Sequence, residues 1–175
     1  MVLDWDKFSL AFDQDPAVNV YRNETALPRA FVVQEAIVAA GHDDAWRLIH
    51  QPGFDPGTTV VLEGGQPLDL QGAAQATVRV LRYEPDALEI EVDSPTEGYL
   101  VLSDPYYPGW RAEVDGEPAG LLRANYAFRA VGISAGSHVV TMAFRPTTWH
   151  VGLILTSLTG LSLLAVIGTV SYTHL

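Results

Sequence analysis

From Val151 to Val170 the chain runs for twenty residues without a charged side chain, and no other feature narrows its fold as much. At about 1.5 Å per residue, a helix of that length reaches across a hydrocarbon core of about 30 Å. A transmembrane helix is therefore expected over residues 149–170. The competing reading, a buried helix of a soluble protein, fits a long, charge-free, terminal run less well. Trp149 and His150 stand at its entry, where amphipathic rings suit the interface, and Arg145 lies just before them. Gly152, Gly160 and Gly168 recur every eight residues, a candidate small-residue seam for packing on another helix. The tail, residues 171–175, lacks the basic residues expected on the cytoplasmic side and reads as a truncation or a scar.

Everything before that run has to fold in water, and its punctuation is that of strands. Leu100-Val101-Leu102 is an apolar run of strand length. Pro105 and Pro108 then break the ladder, since neither can donate a backbone N–H. Arg111 to Val114 alternates as far as Asp115-Gly116, a dipeptide that favours a two-residue hairpin turn. Asn125 to Val131 alternates again, as does His138 to Arg145 after the turn residues Ser134 to Ser137. The stretch Gly98 to Arg145 is thus expected to form a β-meander. Upstream, strands are expected on both sides of the polar loop between Val18 and Val33, at Thr58 to Glu63, at Thr77 to Tyr83 and at Leu88 to Asp93. Glu35 to His50 carries apolar residues at helical spacing and reads as a short helix, with Asp43 and Asp44 able to start a second turn. Gly64 to Ala76 is small and polar, and reads as a loop.

Eight or more short strands with turns every eight to twelve residues predict a mainly β fold, an antiparallel β-sandwich with one short helix, over residues 1–148. The N-terminus carries Asp4 and Asp6 and has no apolar core of signal-peptide length. A chain opening on Val2-Leu3-Asp4-Trp5 without a leader would look like this if cut from a longer protein. The formal charge of −11 and pI near 4.6 argue against a nucleic-acid partner, whose phosphates need Lys and Arg. With no cysteine, disulfides, thiolate metal sites and cysteine nucleophiles are excluded together. Asn23-Glu24-Thr25 matches a glycosylation acceptor, a tripeptide common enough by chance to be an ordinary loop.

Several of these segments, taken in order, resemble a known family. They are Tyr21 to Ala30, Leu100 to Ser103, Tyr106-Tyr107-Pro108-Gly109-Trp110, Val114-Asp115-Gly116, Ala124 to Val131 and Ala135-Gly136-Ser137-His138. The series resembles the C-terminal part of YfhO-like bacterial membrane proteins, large polytopic proteins of the GT-C glycosyltransferase type, over roughly residues 18 to 170. The resemblance implies a membrane enzyme that decorates cell-envelope polymers with sugar from a polyprenyl-phosphate donor, with this segment as its extracytoplasmic domain and last helix. The family's catalytic acids are expected in outer loops that this chain does not contain, so the resemblance carries no catalytic residue over. Implied partners are membrane lipid, the remaining transmembrane helices, and polyprenyl-phosphate sugar or envelope glycopolymer.

Read residue by residue, the candidate sites are sparse. Asp104, Glu113 and Asp115 would supply the two acids that glycosidic chemistry needs, but Asp104 and Asp115 are better explained as turn residues. His42, Asp43 and Asp44 are adjacent, which rarely suits one metal ion, and a helix start accounts for them. No cofactor site is indicated. Tyr106, Tyr107, Trp110, Tyr126 and Phe128 are either sandwich core or a sugar-stacking surface. Alternation places Tyr126 and Phe128 with Ala124 and Ala130 on a core face. Arg111, Arg123 and Arg129 interleave with these rings, and Arg123, Asn125 and Arg129 are the expected exposed polar groups. The candidate ligand surface is thus Tyr106, Tyr107, Trp110, Arg123, Asn125 and Arg129. Three readings remain open: a non-catalytic domain of a membrane glycosyltransferase, a tethered carbohydrate-binding module, and a structural envelope domain.

Overall fold

A computed structural model describes residues 5–70 and 74–173. The opening stretch Val2-Leu3-Asp4-Trp5 lies outside those residues except for Trp5, which begins a 3-10 turn over Trp5–Lys7. An antiparallel ribbon follows, β1 (Phe8–Asp15) with β2 (Val18–Asn23). The rest of the β domain is two stacked sheets. One contains β7 (Thr77–Tyr83), β8 (Ala87–Ser94), β10 (Trp110–Val114), β11 (Glu117–Ala119) and β14 (Gly136–Phe144), in the order β11-β10-β14-β8-β7. The other contains β3 (Ala30–Val33), β4 (Glu35–Val38), β5 (Thr59–Glu63), β6 (Leu68–Asp69), β9 (Gly98–Leu102), β12 (Leu121–Ala124) and β13 (Phe128–Ile133), in the order β3-β9-β13-β12-β5-β4-β6. A short helix, α1 (His42–Ile49), lies against β5, and a long one, α2 (Thr147–Thr173), follows β14.

The expected mainly β sandwich with a short helix and a terminal apolar helix is what forms, with local differences. Glu35 to Val38 is a strand and not the first turn of a helix. It pairs with β5 in parallel, its Ala36 is buried, and Gly41 is fully extended (φ 168°) at the point where α1 begins. One parallel pair therefore interrupts an otherwise antiparallel arrangement. The stretch from Gly98 onward is also not a simple meander, because β9 and β10 belong to different sheets. The two prolines of the aromatic corner end one ladder and start another across the sandwich. Asn125 and Tyr126 have φ of 45° and 71° and form a turn, so the strand starts at Phe128. Within the expected loop after Gly64, Leu68–Asp69 pairs briefly with β4.

Covalent connectivity shows that the seven-stranded sheet cannot be flat. β3 is one edge and β4 is the sixth strand, five spacings of about 4.8 Å away, yet only Gln34 separates Val33 from Glu35. Two residues reach about 7 Å at most. The sheet must curl until its margins meet, and its concave side encloses Val33, Ala36, Val60, Leu62, Tyr99, Val101, Ala124 and Ala130. Its convex side is covered twice. The five-stranded sheet covers Leu100, Leu102, Val131 and Ile133 with Leu88, Ile90, Val92, Val140 and Met142. Helix α1 covers Val61 with Ala45. β9 is thus buried on both faces, which is why all five of its residues are buried and its apolar run does not alternate.

β14 ends, β10 begins and β9 ends at the same end of the domain, and α2 leaves from there. We call it the helix end. The Arg145 N–H donates to the Gly109 carbonyl at 2.7 Å, tying the aromatic corner to the approach to α2. A Cβ on Gly109 would lie 2.9 Å from the Phe144 ring and 3.2 Å from Pro146. α2 continues through Thr173, while His174 and Leu175 lie outside the described residues. It is the one helix among the described residues long and apolar enough to cross a membrane. Its glycines do not form a single seam: eight residues are about 2.2 turns, so each is rotated about 80° from the last.

Candidate functional site

Between the two layers that cover the convex face runs a row of charged side chains. Register places Glu63 opposite Arg123, Arg123 opposite Arg129 and Arg129 opposite Leu102. Three charged residues therefore cross adjacent strands on one face, near the helix end. Two arginines directly opposite each other repel, and their surroundings show what offsets this.

Each arginine has an aromatic face and a carboxylate. The Arg123 guanidinium lies 5.0 Å from the Tyr106 ring centre, and its Nη1 is 3.9 Å from Glu63 Oε2. Arg129 lies 4.1 Å from the Trp110 ring centre, with Nη2 3.2 Å from Asp104 Oδ2. A third pair extends the row: Arg29, just before β3, lies 4.3 Å over Tyr83 at the end of β7, contacts its hydroxyl, and reaches Asp104 Oδ1 at 2.8 Å. Cation–π contacts strengthen as the cation is desolvated, and Arg129 is 3% exposed. Burial holds its guanidinium below the ordinary arginine value, with the Asp104 charge opposing that fall. Arg129 Nε and Nη1 and Asp104 Oδ2 have no hydrogen-bond partner, so Trp110 and Coulomb attraction, and not a bidentate fork, hold this cation.

Helix α1 forms the other wall. His42, Trp46 and His50 recur at a spacing of four on one face of α1 and its cap. His42 stacks on Tyr126 at 4.0 Å, and Trp46 meets the same ring edge-on at 4.9 Å. His42 Nδ1 is 2.7 Å from Glu63 Oε1 and 3.1 Å from Arg123 Nη1. A carboxylate only accepts, so Nδ1 carries the proton and donates to Glu63. The arginine contact at that nitrogen is therefore proximity and not a hydrogen bond. Trp46 remains 51% exposed and is the large aromatic ring of the group that solvent reaches.

Of the six residues expected to form a ligand surface, the structure brings Tyr106, Trp110, Arg123 and Arg129 into this row. Tyr107 stands apart, 63% exposed and 6.1 Å from the Phe144 ring. Two expectations of exposure are overturned by burial. Arg129 faces the sandwich interior. Asn125 is 8% exposed and locks the turn, its Oδ1 accepting from the Val61 N–H at 2.9 Å while its own N–H donates to the Val61 carbonyl. Phe128 packs beside Ala124 and Ala130 as alternation required, but Tyr126 turns outward onto α1. Arg29, Trp46, Glu63 and Tyr83 are not among the residues the sequence singles out, and His42 is weighed there only with Asp43 and Asp44 as a metal cluster. Only the i, i+4, i+8 spacing of His42, Trp46 and His50 signalled any of them in the sequence; Glu63 meets Arg123 through strand register, and Arg29 meets Tyr83 where β3 and β7 pack across the two sheets.

The acids considered for catalysis do not converge. Asp104 is enclosed by arginines at the helix end. Asp115 lies in the β10–β11 turn, beyond the far end of β10, where its carboxylate takes the Val139 N–H and His138 Nδ1. Among the described residues no group of three His, Asp or Glu side chains could hold a metal. Asp44 instead accepts from the Ala40 N–H and pairs with Arg47.

A curled β-sandwich that ends on an apolar helix, with its cations and aromatic rings gathered at the helix end, defines a membrane-attached β domain. The comparison with known families agrees: the chain belongs to the YfhO family, whose model, described as bacterial membrane protein YfhO, matches residues 69–156. The match runs from β6 into the first turns of α2 and takes in the aromatic corner, Arg123 and Arg129. No curated protein and no solved structure matches the chain.

Proposed function

We propose that this chain is a non-catalytic extracytoplasmic domain, with its adjoining transmembrane helix, of a polytopic membrane glycosyltransferase that modifies cell-envelope polymers using polyprenyl-phosphate sugars. Family membership supports the membrane setting, and the resemblance of the ordered motifs to GT-C type proteins supports the chemistry. The observation that carries a role for the domain is Arg29 and Arg123, each set against an aromatic ring on either side of the buried Arg129, at the end from which α2 leaves. Cations and π-faces beside a membrane suit a sugar carried on a lipid phosphate. Asp104, Glu113 and Asp115 are assigned no catalytic part.

A second reading, a tethered carbohydrate-binding or structural envelope domain, draws on the half-exposed Trp46 beside Tyr126, a ring available for stacking on a sugar. Binding of polyprenyl-phosphate sugar and of free saccharide to the full chain in lipid nanodiscs tests both. Loss of lipid-linked binding in Arg123→Ala, with the fold intact by circular dichroism, is expected. Saccharide binding lost only in Trp46→Ala would favour the second reading, and no binding at millimolar ligand would leave the domain a scaffold.

A further inference from the structure

The outer face of the five-stranded sheet carries a second basic feature, separate from the row between the layers. Its register sets Arg111 on β10 opposite Ala143 on β14, and Ala143 opposite Ala87 on β8. Two alanines side by side leave a floor with no side chain above Cβ. Arg111, Arg145 and Arg82 stand around it and help line a pocket of about 270 Å³. The pocket is at the helix end, since Arg145 is two residues before α2.

The three arginines differ in how they are satisfied. Arg82 is held by Glu84 through two bonds of 2.7 and 2.6 Å, which raises its already high pKa. Arg111 and Arg145 are exposed, and among the described residues neither guanidinium has a hydrogen bond or ion pair. This is notable in a chain with 21 acidic and 10 basic residues. Glu89 and Glu113 line the same pocket, but they flank Thr141, one row further from the helix end. Among the pocket-lining residues, the carboxylates stand away from α2 and the free guanidinium groups beside it, while Glu84 at the β7–β8 turn is taken up by Arg82. A pocket this small is below the usual size for enclosing a whole organic ligand, and its two open forks match the oxygens of a phosphate.

We propose that Arg111 and Arg145, over the floor of Ala87 and Ala143, bind a phosphate group presented at the membrane surface, the headgroup phosphate of an anionic lipid. The inference goes beyond the glycosyltransferase reading and does not depend on it. The site would fix how the β domain stands on the bilayer, because a headgroup held two residues before α2 pins the sheet close to the interface.

The test uses the full chain in micelles of dodecyl maltoside, which carries no phosphate, and follows the arginine Nε–H resonances by NMR. Phosphatidylglycerol and inorganic phosphate are added in separate titrations. Saturable shifts of Arg111 and Arg145 with phosphatidylglycerol, at least about tenfold weaker with inorganic phosphate, are expected for a lipid-borne ligand; equal response to both would move the source to solution and overturn the lipid assignment. Arg111→Ala should abolish the Arg145 shift. Ala143→Leu keeps every charge and fills the floor, so it should abolish both shifts while leaving the remaining spectrum in place. No shift in the parent, or an undiminished shift in Ala143→Leu, overturns the site.

Discussion

At the scale of single residues, Asp104 is the carboxylate on which two of the arginines depend. Arg129 is buried with two of its nitrogens unpaired, and among the described residues Asp104 is the one carboxylate within ion-pairing distance of it. Removing one partner of a buried pair leaves the other charge uncompensated. Asp104→Asn, which preserves volume, should therefore lower unfolding stability by about 3 kcal/mol. Arg129→Met should cost clearly less, because Asp104 keeps Arg29 and the Tyr83 hydroxyl, 3.3 Å away. Urea titrations of both variants check the asymmetry; a costlier Arg129→Met would mean that packing on Trp110 outweighs charge. Asp115 makes a pH prediction at the opposite end of β10. Its carboxyl is held below the usual carboxylate value, first by the hydrogen bond from His138 and then by the Val139 N–H. A depressed folded pKa contributes stability that is present above the unfolded value, near 3.8, and is lost as pH falls through the folded value. Asp115→Asn keeps a turn residue suited to its φ of 54°. Its melting temperature should change less than the parent's between neutral pH and the acid limb, and identical acid limbs would remove Asp115 from the account.

At the scale of elements, the aromatic corner between β9 and β10 joins the two sheets to the helix. Gly109 has φ of 111°, and an added Cβ would meet the Phe144 ring and Pro146. Gly109→Ala faces both a disfavoured backbone and a clash, so a loss of about 1–3 kcal/mol is expected. Hydrogen exchange should locate the damage: the Arg145 amide, which donates to Gly109, should lose protection before the amides of β9 do. The corner was legible in the sequence because proline and glycine act locally. So were the strands around Asp115-Gly116, and burial alternating along β8 explains why Leu88 to Asp93 read as a strand. What was not legible depends on contacts distant in sequence. Ala36 and Ile37 look helical until β5 pairs alongside them, and nothing local distinguishes Leu102 leading to a hairpin from Leu102 leading to the other sheet. The same holds for the site. Arg123 and Arg129 stood out as charges among aromatic rings, but that one is walled by α1 and the other buried over Trp110 follows from how the curled sheet is covered.

At the scale of the whole molecule, family membership and α2 both place the chain at a membrane, and the two β cores account for the part that stays in water. α2 is apolar along most of its length. It carries Thr156, Ser157, Thr159 and Ser162 within its central turns, and a hydroxyl is tolerated in lipid when a backbone carbonyl satisfies it. Thr159 Oγ1 donates to the Leu155 carbonyl at 2.9 Å and Ser162 Oγ to the Leu158 carbonyl at 2.8 Å, so these two bring no unsatisfied polar group into the hydrocarbon. A helix that meets hydrocarbon along its length has a narrow margin for charge. Leu161 lies near the middle of α2 and is 64% exposed, so no described residue of the chain shelters a substituent there. Arginine at a helix centre costs about 2.5–3.5 kcal/mol on insertion scales. Leu161→Arg should therefore move a large share of the full chain from the carbonate-resistant membrane fraction to the soluble or aggregated fractions of the expressing cell. Thr159→Leu, which adds apolar surface, should leave attachment intact or strengthen it. If Leu161→Arg stayed as firmly attached as the parent, the β domain's own contacts at the helix end, and not α2, would be holding the chain on the membrane.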